Sequence, residues 1–184
     1  MVKLSIIIPV YNEAKTIKKV LETVRKVDLS KVSKNMSKEI IVVDDCSKDE
    51  SREILRKIRD SSIKIAFHKK NMGKGAAIRT ALAKSTGDII LIQDADLEYN
   101  PEEYPKLLAP IISNKAKVVY GSRIISIRRN LDSMYKLHYI GNIFLTLATN
   151  FLYGSRISDM ETGFKVFKKE GINGIKLRAR RFDF

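Results

Sequence analysis

The 184 residues are 44% hydrophobic and 30% charged, enough apolar material for one globular core and too little chain for two ordinary domains, which excludes disorder as a reading. A single cysteine, Cys46, rules out a disulfide scaffold and fits a reducing compartment; no run reaches the roughly 17 to 25 apolar residues of a membrane span, and no secretory signal opens the sequence, so a soluble or peripheral chain is expected. Lys and Arg number 35 against 21 Asp and Glu, a formal charge of +14, which attracts nucleic acid, anionic membrane or phosphorylated small molecules, or simply coats a solvated exterior.

Leu4 to Val10 is a compact apolar run followed by a polar break and then by Ile17, Val20, Leu21 and Val24 at helical spacing. This predicts a buried strand feeding a helix. The unit repeats: a strand over Glu39–Val43 and a helix from about Lys48 to Arg59, a strand over Ile63–Phe67 and a helix over Gly75–Lys84, a strand over Asp88–Ile92 and a helix over Glu102–Ile112, then a strand over Lys117–Tyr120. Alternation of this kind predicts an open, mostly parallel α/β sheet flanked by helices, Rossmann-like, whose ligands bind at the carboxyl ends of the strands. Beyond Gly121, residues from Asp132 to Tyr153 read as one helix, with Asn142, Thr146 and Asn150 on one face and Ile140, Phe144, Leu147 and Phe151 on another. It is too short and polar to cross a bilayer; a core or edge helix, or one lying against a membrane, fits it.

The residues after each strand carry the chemistry. Pro9-Val10-Tyr11-Asn12-Glu13 has no glycine, so the Gly-x-Gly-x-x-Gly loop of a nicotinamide-binding domain is missing where it is needed. Gly73-Lys74-Gly75 lacks phosphate-loop spacing and reads as a helix-opening turn. Asp44 and Asp45 end the second strand, with Ser47 placed to cap the next helix; two adjacent carboxylates facing a crevice suit ribose hydroxyls or a base N–H. After the fourth strand come Asp94, Asp96 and Glu98 at alternate positions. In extended backbone these share a side, and a hard divalent cation with diphosphate oxygens would relieve their repulsion. Arg123 and Lys165 follow in Gly121-Ser122-Arg123 and Asp159 to Lys165, where they would neutralise phosphates. The two histidines, His68 and His138, support neither a histidine metal site nor a Ser-His-Asp triad. The 8% aromatic content without tryptophan argues against a nucleic-acid module.

Together, Ser5 to Glu13, Ile41 to Asp45, Asn71 to Gly75, Gln93 to Glu98, Val119 to Arg123 and Asp159 to Lys165 resemble, in order and across nearly the whole chain, the family 2 glycosyltransferases of the GT-A fold, specifically the dolichyl- or polyprenyl-phosphate mannose and glucose synthases. The resemblance implies a single catalytic domain over 1–184, with a nucleotide-sugar part over 1–123 and an acceptor part over 124–184, and further sequence beyond Phe184 in relatives of this kind. It implies that Pro9, Tyr11, Glu13, Val43, Asp45, Asp94 and Ala95 line the nucleotide pocket, that Asp96 and Glu98 hold Mg²⁺ or Mn²⁺, and that Asp96, Arg123 and Lys165 serve catalysis. The implied reaction is inverting transfer of a hexose, mannose favoured, from a nucleoside diphosphate sugar to a dolichyl or polyprenyl phosphate at the cytoplasmic face of an anionic membrane. Glucose from UDP-glucose is the alternative donor, Glu98 standing where the mannose synthases often carry glutamine. A catalytically silent nucleotide-sugar-binding fragment is the remaining alternative.

Overall fold

The structure is a computed structural model that describes residues 1–122, 136–172 and 175. Six strands form one sheet: β1 (Val2–Val10), β2 (Met36–Asp44), β3 (Ile63–Phe67), β4 (Ile89–Ile92), β5 (Val118–Tyr120) and β6 (Lys165–Lys168), in the order β3-β2-β1-β4-β6-β5. The β1–β2, β2–β3 and β1–β4 pairs are parallel, which bears out the expected open, mostly parallel architecture. The strand β6 was not foreseen. It runs antiparallel to both β4 and β5 and separates them, Ile92 pairing with Lys165 and Lys165 with Tyr120.

The apolar strands are covered on both faces, as parallel strands with helical crossovers require. Leu4, Ile6, Ile8 and Val10 point to one side and pack with Ile17, Val20, Leu21 and Val24 of α1 (Ile17–Lys26) and Tyr104, Leu108 and Ile111 of α4 (Tyr104–Ile112). Ile7, Ile41, Val43, Ile90 and Ile92 point to the other and meet Ala77, Ile78 and Ala81 of α3 (Lys74–Lys84). The alternation follows from the two-residue period of a strand.

Several boundaries differ from the sequence expectation. The helix expected over Lys48–Arg59 is only α2, Ser51–Arg56. Ser47 does not cap it: the Ser47 hydroxyl accepts the Asn12 amide at 3.0 Å, while Asp49 accepts the amide of Ser51. A 3-10 turn over Pro101–Glu103, capped by the Asn100 side chain, precedes α4. The long helix is observed as α5, Lys136–Tyr153, and its expected beginning at Asp132 lies outside the described residues.

Polar clusters lock the amino-terminal side of the sheet. The Glu39 carboxylate is 5% exposed and accepts from the Ser5 hydroxyl (2.6 Å), the Thr86 amide (2.7 Å) and the ammonium groups of Lys64 (2.9 Å) and Lys3 (3.0 Å). Burial pulls its pKa up, but the hydroxyl, amide and ammonium donors outweigh that and hold it well below the ordinary carboxylate value. Lys38 donates to the carbonyls of Val24, Arg25 and Val27, closing the carboxyl end of α1 with a cation where the helix dipole favours one.

Candidate active site

The carboxyl ends of β1 and β2 are tied to each other by short-range turn chemistry. Asn12 and Cys46 both adopt positive φ, 58° and 64°; the Asp45 amide donates to Val10 O, the Lys48 amide to the Asn12 side chain, the Glu13 amide to Ser51 and the Ala14 amide to Asp49. Tyr11 is exposed at this edge, and the half-buried Glu13 accepts the Thr16 hydroxyl at 2.6 Å.

The two carboxylates after β2 are not open to a crevice, which corrects the sequence expectation. Asp44 and Asp45 are both buried. Asp44 accepts the amides of Cys46 and Ser47 and faces the Arg52 guanidinium at 3.4 Å. Asp45 accepts from His68 Nδ1 (2.6 Å), the Met72 amide (2.9 Å) and the Gly73 amide (2.6 Å). Because a carboxylate only accepts, the His68 proton sits on Nδ1, and Nε2 meets the Thr80 hydroxyl at 2.9 Å. Gly73, at φ 89°, is the N-cap of α3. The helix-opening turn read from the two glycines is thus observed, and a carboxylate from β2 holds it in place.

The acidic run beyond β4 is a bend and not a continued strand. Ordered pairing ends at Ile92, Leu97 has φ 68°, and Asp96 accepts the Glu98 amide at 3.0 Å in a local turn. The i, i+2, i+4 argument for one shared side therefore does not hold. The three carboxylates divide instead. Asp94 forms an ion pair with Lys74 at 2.6 Å, whereas Asp96 and Glu98 are exposed. Buried Gln93 anchors the bend from below, donating to the carbonyls of Asp94 and Tyr99 and accepting the Tyr104 hydroxyl at 2.8 Å.

The segment before β6 closes against this bend. The Gly163 amide donates to the Tyr99 hydroxyl at 2.6 Å, and the Tyr99 ring lies 4.6 Å from that of Phe164. A Cβ at Gly163 would collide with the Asp94 carboxylate and the Tyr99 ring, so glycine is required by close approach. Helix α5 docks the preceding loop through the predicted polar face: Asn142 donates to Asp159, Thr146 accepts the Met160 amide, and Asn150 binds Ile157 and Ser155. Its other face, with Ile140, Phe144, Leu147 and Phe151, is exposed.

Of the residues singled out from sequence, Tyr11, Glu13, Asp94, Asp96, Glu98 and Lys165 occupy one edge of the sheet. Pro9 is half-buried in register with Val43, and Val43 and Ala95 are packed into the two cores beneath that edge. Lys165 donates to Thr162 O at 2.6 Å and stands 5.6 Å from the Tyr120 ring centroid. Arg123 lies outside the described residues. Sequence reasoning missed the partner of Asp94 and the role of His68. His68 follows β3 directly and Lys74 opens α3 at the end of the same loop, the position that marks a sheet's binding edge, and that was the available signal. Among the described residues, no group of three or more His, Cys, Asp or Glu side chains converges as a metal site.

The open, mostly parallel sheet with its polar groups gathered at the carboxyl edge has the GT-A fold, as its matches to solved glycosyltransferases show. A mannosyltransferase from Pyrobaculum calidifontis, solved with GDP-Man and Mn²⁺, matches 92% of the chain with TM-score 0.65 at 20% identity and is covered over 45% of its own length. Glucosyl-3-phosphoglycerate synthase from Mycobacterium tuberculosis, solved with Mn²⁺, UDP and phosphoglyceric acid, matches 92% with TM-score 0.64 at 20% identity, covered over 56%. Glycosyl transferase family 2 matches residues 5–175, and the chain belongs to that family. It is 30% identical to the UDP-N-acetylglucosamine–dolichyl-phosphate N-acetylglucosaminyltransferase of Methanococcus voltae over 97% of this chain and 75% of that protein. It is 35% identical to dolichyl-phosphate beta-glucosyltransferase ALG5C of Trichomonas vaginalis, over 89% and 51%, and 28% identical to the dolichol-phosphate mannosyltransferase of Pyrococcus furiosus, over 98% and 50%. The chain thus spans three quarters of the first and about half of the other two.

Proposed function

We propose that the domain moves a hexose from a nucleoside diphosphate sugar to a dolichyl or polyprenyl phosphate, with residues 1–123 serving the donor and 124–184 the acceptor. The observation that carries this reading is the register of β6: it sets Lys165, suited to a phosphate, beside the end of β4, from which the chain runs on into the bend that carries exposed Asp96 and Glu98, suited to a cation. The family and the acceptors in the relatives' names support it.

The donor set fits a divalent ion. Oxygen ligands suit Mg²⁺ or Mn²⁺, and Asp96 and Glu98 would hold it with diphosphate oxygens and water completing the shell, the habit of an ion that keeps few protein ligands. Bound there it would supply Lewis acidity to the departing nucleoside diphosphate. The chain's own groups then do the rest. Tyr11 and Glu13 flank the donor at the end of β1, above a floor of Pro9, Val43, Asp45 and Ala95, and Asp94 faces the nucleoside. Lys165 and Arg123 lower the repulsion between two phosphate-bearing reactants. The acceptor phosphate is largely dianionic at neutral pH, so its oxygen forms the new bond to the anomeric carbon without a protein base as the diphosphate oxygen leaves, inverting that carbon.

A thermal-shift panel tests the donor half. GDP, UDP, GDP-mannose, UDP-glucose and UDP-N-acetylglucosamine are each added with and without Mn²⁺. A matching nucleotide at about 100 times its Kd should stabilise the fold by about 2.7 kcal/mol, a Tm rise of roughly 5–10 °C that depends on Mn²⁺. No shift with any nucleotide would overturn the reading, and the largest shift identifies base and sugar.

The acceptor half predicts a peripheral position on the cytoplasmic face of an anionic membrane. No helix among the described residues is long and apolar enough to cross a bilayer, yet Phe144 and Phe151 are 70% and 89% exposed on one face of α5. The chain should co-sediment with anionic vesicles at low salt and release as salt rises. Replacing Phe144 and Phe151 together by serine should weaken binding at least about tenfold, since each buried ring contributes about 1.5–3 kcal/mol. Absence of co-sedimentation at low salt would remove the membrane claim.

A further inference from the structure

We propose that His68 is a positioning residue for donor binding: it holds Asp45, and through it the Met72-Gly73 turn, so that Lys74 at the head of α3 meets Asp94. The inference rests on the donor-site reading above, which sets Asp94 toward the nucleoside, and adds to it a buried pair that acts without touching the donor.

Asp45 has no capacity left for a ligand. It is 3% exposed, and its carboxylate accepts from His68 Nδ1 (2.6 Å), from the Gly73 amide (2.6 Å) and, through both oxygens, from the Met72 amide (2.9 and 3.2 Å). These contacts fill the roughly four acceptor positions of a carboxylate. A ribose hydroxyl or a base N–H would have to displace one of them.

What the pair fixes is the start of α3. The Gly73 amide is held by Asp45, while the Gly73 carbonyl accepts the amides of Ala76 and Ala77 that open the helix. His68 also reaches α3 directly, its Nε2 meeting the Thr80 hydroxyl at 2.9 Å. Its own backbone is pinned on both sides, the amide donating to Asp44 O and the carbonyl accepting from Arg52. The imidazole thus grips α3 at two points roughly two turns apart, one through Asp45 and one at Thr80, which sets both the axial place and the rotation of the helix. Lys74 stands next to the first of these points, and its ammonium lies 2.6 Å from Asp94.

The test is nucleotide affinity of the full chain, measured by calorimetry at a temperature where each variant is folded. His68→Leu should bind the nucleotide selected by the thermal-shift panel about tenfold more weakly, the effect of one hydrogen bond lost from a charged group. His68→Asn, whose side-chain N–H can stand where Nδ1–H does, should stay within about threefold of the unaltered protein. Lys74→Met should also cost about tenfold, and combining it with His68→Leu should add little further, since both act on one contact. The preference between UDP and GDP should be the same in every variant. A readout on the unaltered protein stands beside these should the leucine variant fail to fold: the imidazole nitrogen NMR spectrum, to which only His68 and His138 contribute, should keep the His68 proton on Nδ1, hydrogen-bonded, when nucleotide binds. If nucleotide breaks that bond, or if His68→Leu alters the base preference, Asp45 contacts the donor itself and the positioning role is overturned. If folded His68→Leu binds nucleotide as tightly as the unaltered protein, or if the losses in the double variant add in full, the role is overturned and the donor site stands. If the unaltered protein binds no nucleotide, the donor reading falls, and this inference with it.

Discussion

Asp96→Ala is expected to lower nucleotide-sugar turnover by about a thousandfold while leaving Tm within about 2 °C. The side chain is exposed and, among the described residues, its hydrogen bond is with the Glu98 amide in the same turn, so little stability is at stake. On the proposed metal role, the variant would remove half of the protein's hold on the cation that would assist diphosphate departure, an effect in the range found when a charge-stabilising group is deleted from an active site. The measurement is transfer from the nucleotide sugar identified by the thermal-shift panel to a polyprenyl phosphate in the presence of Mn²⁺. Retained activity in a folded Asp96→Ala protein would remove the metal assignment. Glu98→Gln should cost less, about tenfold, because it keeps an oxygen ligand while losing one charge.

The largest effect on stability is expected from Glu39→Leu. Its carboxylate is the meeting point of Ser5 in β1, Lys64 in β3, Thr86 before β4, and Lys3. Deleting it leaves the Ser5 hydroxyl and the Thr86 amide without this acceptor, each costing about 1–3 kcal/mol, while the part-exposed Lys3 and Lys64 ammonium groups turn to water. At about 2–4 °C per kcal/mol for a chain of this size, thermal unfolding should fall by roughly 10 °C. The pH dependence has a definite sign. The folded pKa of Glu39 is depressed below its ordinary 4.5, so its contribution is complete above that value and is lost as pH falls below it. Unaltered protein should therefore lose stability on acidification below about pH 4.5 more steeply than Glu39→Leu. Equal slopes in denaturant titrations at descending pH would contradict the assignment.

The order of strands and helices through Ile112 was legible because each strand is a continuous apolar run and each helix has a periodic apolar face, as in Ile17, Val20, Leu21 and Val24. The strand β6 was hidden. Its sequence, Lys-Val-Phe-Lys, is four residues long, and its first residue, Lys165, suggested a phosphate contact before it suggested a sheet. The proposed site was legible as a set of strand ends and loops because most of its polar candidates, such as Tyr11, Glu13, Asp45 and Asp94, follow a strand. Its internal partnerships were not. Asp45 meets His68 and Gly73, 23 and 28 residues onward, and Asp94 meets Lys74 across two separate elements. Residue spacing carries no trace of such contacts. The extended geometry assumed for Asp94 to Glu98 failed at Leu97, whose positive φ turns the backbone, a conformation that leucine seldom adopts and its identity does not announce.

The insertion of β6 between β4 and β5 constrains the order in which the protein can fold. During synthesis the first four strands can pair as they emerge, since each finds a neighbour already made. β5 cannot, because the segment that must sit between it and β4 is made 45 to 49 residues later, Tyr120 pairing with Lys165 and Val118 with Phe167. Until then a nascent chain presents the open flank of β4, Ile89 to Ile92, as an unpaired apolar edge, the kind of surface on which chains join one another. The segment that ends this exposure is the same one that delivers Lys165 to the carboxyl edge of the sheet, so completing the sheet and assembling the proposed site are one event.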